Sequence, residues 1–113
     1  MIEKYYNENG EVAVIYSPGF GAGWYTWNSL KDCNGADPRE LIFDKTLVEM
    51  ILASKSIKEL EKYVVEKWGG GVYCGGLGDC KVTFFPEGTE FVIEEYDGSE
   101  SITTRVDTNW IIT

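Results

Sequence analysis

The chain has 113 residues, enough for one domain and one core and too few for a second catalytic domain. Hydrophobic residues make up 43% and aromatics 14%, which excludes a chain disordered throughout. Nineteen acids against ten bases leave a formal charge of −9, which repels phosphate backbones and anionic membranes and so speaks against nucleic-acid binding. There is no histidine, which removes Ser-His-Asp and Cys-His catalysis and His-ligated zinc.

The N-terminus, Met1 to Tyr6, has no apolar signal region, and no later run approaches the ~20 apolar residues of a membrane span, so a cytoplasmic protein is expected. Glu11 to Tyr16 reads as the first strand. Val12 and Val14 alternate with Ala13 and Ile15, so both faces are apolar and the strand belongs inside a sheet. The run SPGFGAGWYTWN follows, from Ser17 to Asn28, with three glycines that open the backbone and four aromatics. Leu41-Ile42-Phe43 suggests a short strand. Asp44 is placed to cap a helix with Leu47, Val48, Ile51 and Leu52 on one face. Ser56 and Glu59 form a capping box for a second helix, in which Ile57, Leu60, Val64 and Trp68 share a face and Gly69 supplies the stop.

Glycines at 69–71 and at 75, 76 and 78 bracket Val72-Tyr73-Cys74 as a flexible connection. Beyond it the period changes. Lys81 to Phe85, Glu90 to Tyr96 and Glu100 to Arg105 are strand-like, and the turn residues between them predict a meander of three antiparallel strands. Asn109 to Ile112 reads either as a terminal edge strand or as a docked tail. The expected fold is α+β: one domain, 1–113, with an antiparallel sheet of about four to five strands and two short helices packed on one face.

The candidate site is the Gly/aromatic run. Flat aromatic faces stack on bases, and open glycine amides bind phosphate or carbonyl oxygens. Ser17, Gly19, Phe20, Gly21, Gly23, Trp24, Trp27 and Asn28 are therefore the expected ligand-binding residues, with Arg105 as the neutralising cation. Two readings of Trp24 and Trp27 stay open, a place in the core or a place in the site. The run is not a nucleotide fingerprint: G-x-G-x-x-G would need glycine at Trp24, and no P-loop is present.

From Glu87 onward there are seven acids and one base, a local charge of −6. This stretch reads either as a solvated sheet face or as an imitation of a DNA backbone that docks onto a basic groove. Glu94 and Glu95 point to opposite faces of a strand and cannot flank one bond, and Cys74 and Cys80, with five residues between them and without histidine, make a weak metal pair. Cys33, Cys74 and Cys80 are expected to be reduced structural thiols. No enzyme activity, metal or cofactor is expected.

Taken together, SPGFGAGWYTWN, LIFDKTLVEMI, the Gly-rich turn and FFPEGTEFVIEEYDGSESI resemble a family of small phage-encoded proteins, over nearly the whole chain. The resemblance implies origin in a phage and, by analogy with small phage accessory proteins, a counter-defence role in the host cytoplasm. One form of that role is sequestration of a nucleotide-derived immune signal, of cyclic nucleotide or cyclic ADP-ribose type, without cleaving it. The alternative is an acidic decoy that inhibits a host nucleic-acid-binding defence protein. A chain this small has limited room for a nucleotide pocket, which predicts a homo-oligomer that places ligand between subunits.

Overall fold

The structure is a computed structural model and describes residues 2–21 and 23–104. Strand β1 (Glu11–Tyr16) has four consecutive buried residues, as its two apolar faces require. It pairs antiparallel with β2 (Lys81–Pro86), with Val12 opposite Phe85 and Ile15 opposite Val82. On its other edge the N-terminal segment runs back along it, bridging Tyr6 to Val12, and Ala13 N–H donates to Tyr5 O at 3.0 Å. Asn7 makes that reversal by accepting the amides of Asn9 and Glu11 on its own side-chain oxygen. β1 is thus flanked on both sides.

Three helices cover the face of β1 that carries Ala13 and Ile15. They are α1 (Glu40–Phe43), α2 (Lys45–Leu52) and α3 (Ile57–Trp68), and they contribute Leu41, Leu47, Val48, Leu60, Val64 and Trp68 to one core. The strand expected at Leu41 to Phe43 is corrected to helix α1. The turn at Asp37 and Pro38 starts it, with Glu40 N–H on Asp37 O and Leu41 N–H on Pro38 O, and three apolar residues are too few for their period to separate strand from helix. Asp44 then ends α1 and caps α2, accepting Leu47 N–H at 3.0 Å. Its buried carboxylate also takes the Tyr63 hydroxyl at 2.6 Å and Lys67 Nζ at 2.5 Å, which fastens α3 to the start of α2. Ser56 caps α3, its hydroxyl accepting Glu59 N–H and donating to the Glu59 carboxylate, so the N-cap half of the expected capping box forms, and Gly69, with φ of 93°, ends α3.

The single sheet is the second correction. Strands β3 (Phe91–Tyr96) and β4 (Ser99–Thr104) form a separate antiparallel hairpin around Asp97 and Gly98, both with positive φ, and β2 pairs with β1 rather than with β3. The turn predicted after β2 does form, with Thr89 N–H on Pro86 O at 3.1 Å. What it does not do is return the chain along β2. Phe85 and Phe91 stack across it at 5.9 Å, and the hairpin meets the first ribbon at the end of β1, where Glu100 N–H donates to Ser17 O at 2.7 Å. Local turn chemistry fixed the reversal and the competition for buried edges fixed the pairing.

Alternation along the hairpin gives it two faces. Phe91, Ile93 and Glu95 on β3 share a face with Glu100, Ile102 and Thr104 on β4, and of these Glu100 and Thr104 are buried. The other face carries Val92, Glu94 and Tyr96, all exposed.

Candidate functional site

The Gly/aromatic run is closed around a carboxylate of the protein itself. Glu100, 1% exposed, accepts Ser17 N–H on Oε1 at 2.9 Å. Its Oε2 accepts Trp24 N–H at 2.9 Å, Thr26 N–H at 2.8 Å and the Thr26 hydroxyl at 2.7 Å. Several amides of one loop converge on a single anion, the kind of cradle that binds phosphate elsewhere. Here the anion is supplied in cis. The run is tied to the hairpin again by Gly21 N–H on Asp97 O at 2.7 Å and the Ser99 hydroxyl on Pro18 O at 2.7 Å.

Each expected site residue can be placed on this frame. Ser17 is buried, with its hydroxyl on Gly76 O at 3.1 Å. A Cβ on Gly19 would meet the Asp79 carboxyl, and one on Gly23 would come within 2.7 Å of the Trp27 ring, so a side chain at either position would force those groups to move. Trp24 is fully buried, and its indole N–H donates to Leu41 O at 2.8 Å. That corrects the stacking role offered for it, because no face of the ring reaches solvent and the polar tip is already paired. Asn28 is also internal: its amide donates to Trp24 O and Tyr73 O and accepts Tyr73 N–H at 2.7 Å. The phosphate role offered for the loop is likewise corrected at Ser17 and Gly21, whose N–H groups are committed to internal acceptors, as are those of Trp24 and Thr26. Phe20, 75% exposed, and Trp27 remain at the surface. Arg105 lies outside the described residues.

The three thiols are free. Burial raises the pKa of each, most strongly at Cys80, where Glu100 and Asp79 add to the effect, so they are held as neutral thiols rather than reactive thiolates. Among the described residues no group of three or more Cys, Asp or Glu side chains is placed to hold a metal ion, and no helix is long and apolar enough to cross a membrane.

An open groove of about 610 Å³ lies elsewhere, between the N-terminal segment, α1 and β3. Tyr25, Phe43 and Phe91 bring three rings to it, and Lys4 and Arg39 bring two cations. Phe43 meets Phe91 edge-on at 6.1 Å, and Lys4 Nζ lies 4.9 Å from the centre of the Phe43 ring. Arg39 is oriented by Asp37, which accepts its Nε and its Nη2, the latter at 2.6 Å. This hydrogen bonding holds the Asp37 carboxyl below its ordinary range and raises the Arg39 guanidinium further. Arg39 therefore stays charged at neutral pH. Glu90 also lines the groove.

None of Lys4, Tyr25, Arg39, Phe43 and Phe91 was marked as a site by the sequence. The available signal was sign: Lys4 and Arg39 are bases beside apolar residues in a chain where acids outnumber bases nearly two to one. Glu100 carried a different signal, an acid in register with Ile102 on the inward face of a strand. No family model, curated protein or solved structure matches this chain.

Proposed function

We propose that the protein is a non-catalytic binding protein that takes up a nucleotide-type ligand in the groove of Lys4, Tyr25, Arg39, Phe43 and Phe91 and withholds it without cleaving it. The observation that carries this reading is the meeting of three aromatic rings and two cations in one groove of a strongly acidic chain. A base needs a flat apolar face, and a phosphate needs positive charge; Tyr25 and Phe43 supply the first, and Lys4 with the Arg39 N–H groups not taken by Asp37 the second. The groove's size suits such a ligand. The charges nearest a bound phosphate are Lys4 and Arg39, offset by Glu90 and by the Asp37 paired with Arg39, and the more distant acids of the chain are screened by salt. The phage resemblance makes a nucleotide-derived immune signal the natural occupant, and a homo-oligomer would close the open side of the groove.

The test is a thermal-shift screen against mononucleotides, cyclic dinucleotides and cyclic ADP-ribose isomers. Ligand at about a hundred times its Kd stabilises the fold by ~2.7 kcal/mol. The expected result is a shift for one nucleotide class, with the ligand recovered intact after denaturation and the shift lost in Lys4→Ala and Arg39→Ala. A flat screen, or a shift that survives both substitutions, refutes the groove as the site.

A further inference from the structure

Trp27 and Tyr73 form a second surface feature that neither the core nor the groove uses. Their rings lie 5.3 Å apart at 42°, and the two residues are 39% and 43% exposed. Leaving that much aromatic surface in water forgoes burial free energy that other rings of this chain obtain. The backbone of the corner is fixed: Asn28 accepts Tyr73 N–H and donates to the Tyr73 carbonyl. Glu95 brings a carboxylate: its Oε2 accepts Gly98 N–H at 2.7 Å and lies 3.4 Å from Trp27 Nε1.

Two adjacent π systems and one oriented carboxylate select for a cation, since ring faces and carboxylate are attractive to positive charge and repel anions. The wider surroundings have the same sign. Between Val82 and Thr104 the chain carries six acids and no lysine or arginine. The acidic hairpin of a second copy would meet this corner with like charge, which disfavours that face of the chain as the occupant here. A planar guanidinium fits better than an ammonium, because it can lie flat on the indole while its N–H groups reach Glu95.

We propose that the Trp27–Tyr73–Glu95 corner docks an arginine side chain presented by a basic segment of a partner protein. The guanidinium stacks on the Trp27 ring and donates to the Glu95 carboxylate, and the acids of the hairpin steer the approach of the segment. The site is separate from the groove, and its test does not depend on a nucleotide.

The probe is a short synthetic peptide with several arginines spaced by glycine, compared by isothermal titration with the same peptide carrying citrulline, which keeps the shape and loses the charge. The expected Kd is in the tens of micromolar. Trp27→Leu and Glu95→Gln should each weaken binding about tenfold, whereas Glu94→Gln, the same loss of charge on the other face of β3, should change it less than about twofold. Glu95→Gln keeps an acceptor for Gly98 N–H, so it carries the test should Trp27→Leu fail to fold. Equal binding of the citrulline peptide, equal effects of Glu94→Gln and Glu95→Gln, or no binding of the arginine peptide overturns the proposal.

Discussion

The buried Glu100 carboxylate makes the sharpest claim about stability. Three backbone N–H groups, from Ser17, Trp24 and Thr26, and one hydroxyl depend on it. Glu100→Ala removes the acceptor and leaves the buried N–H groups of Ser17 and Trp24 and the half-buried one of Thr26 unpaired; at about 1–3 kcal/mol for each buried donor the loss is roughly 2–6 kcal/mol, with a smaller addition from Thr26, against a total stability of about 5–15 kcal/mol. Glu100→Gln should cost less. Its amide oxygen can take the place of Oε2 and keep Trp24, Thr26 N–H and the Thr26 hydroxyl, while its NH2 group faces the Ser17 N–H, donor against donor. One contact and the charge are lost, about 2–4 kcal/mol. The assay is urea unfolding of the three proteins, with amide hydrogen exchange at Ser17, Trp24 and Thr26 as the local readout. The three amides should exchange in the wild type only through large-scale opening and much faster in Glu100→Gln. Formate or acetate should partly restore Glu100→Ala by entering the vacated cradle. A loss below about 1 kcal/mol for Glu100→Ala, or equal losses for Ala and Gln, would refute the argument that donors, rather than side-chain volume, set the cost.

Two further outcomes follow from the core and the thiols. Trp24→Phe shrinks a fully buried side chain and leaves Leu41 O without its donor, so a loss of about 2–4 kcal/mol is expected by chemical denaturation; a loss under about 1 kcal/mol would mean the ring is not packed as described. Stability should also fall in alkali. Cys80 has a folded pKa raised above its ordinary value of 9.0, so above that pH the unfolded chain releases a proton that the folded chain retains, and stability present below pH 9 is lost as pH rises. Cys33, Cys74, Tyr63 and Lys67 are shifted in the same direction. Unfolding midpoints between about pH 8 and 11 should decline, less steeply in Cys80→Ala, and a flat profile would overturn the assignment.

Elements signalled by short-range chemistry were legible. Strand β1 follows from its apolar run, α3 from the Ser56–Glu59 box and Gly69, and the β3–β4 hairpin from Asp97-Gly98. Strand partners were not, because pairing is settled by which edges bury the most, and β1 and β2 are some seventy residues apart in sequence. The run from Ser17 to Asn28 was legible as unusual but not as internal. Glycines that admit a ligand and glycines that admit Asp79 or the Trp27 ring have the same sequence. What distinguishes them is Glu100, which lies 83 positions from Ser17 and looks, read locally, like one more acid of an exposed hairpin.

The same observation bears on where a ligand can bind at all. A loop rich in free amides is an anion site only while no better anion is at hand, and in a chain with nineteen acids and ten bases the nearest carboxylate belongs to the protein. Closing the loop on Glu100 removes that site and at the same time fixes Trp24, Thr26 and Asn28, and through Asn28 the exposed Tyr73. The surfaces left for partners are therefore those whose polar groups the fold has oriented rather than consumed. On one, Arg39 is aimed by Asp37 beside Lys4 and the rings of Tyr25 and Phe43; on the other, Glu95 is aimed by Gly98 beside Trp27 and Tyr73. Their cations and carboxylates set the chemistry of the two proposals, an anionic ligand for the first surface and a cationic side chain for the second.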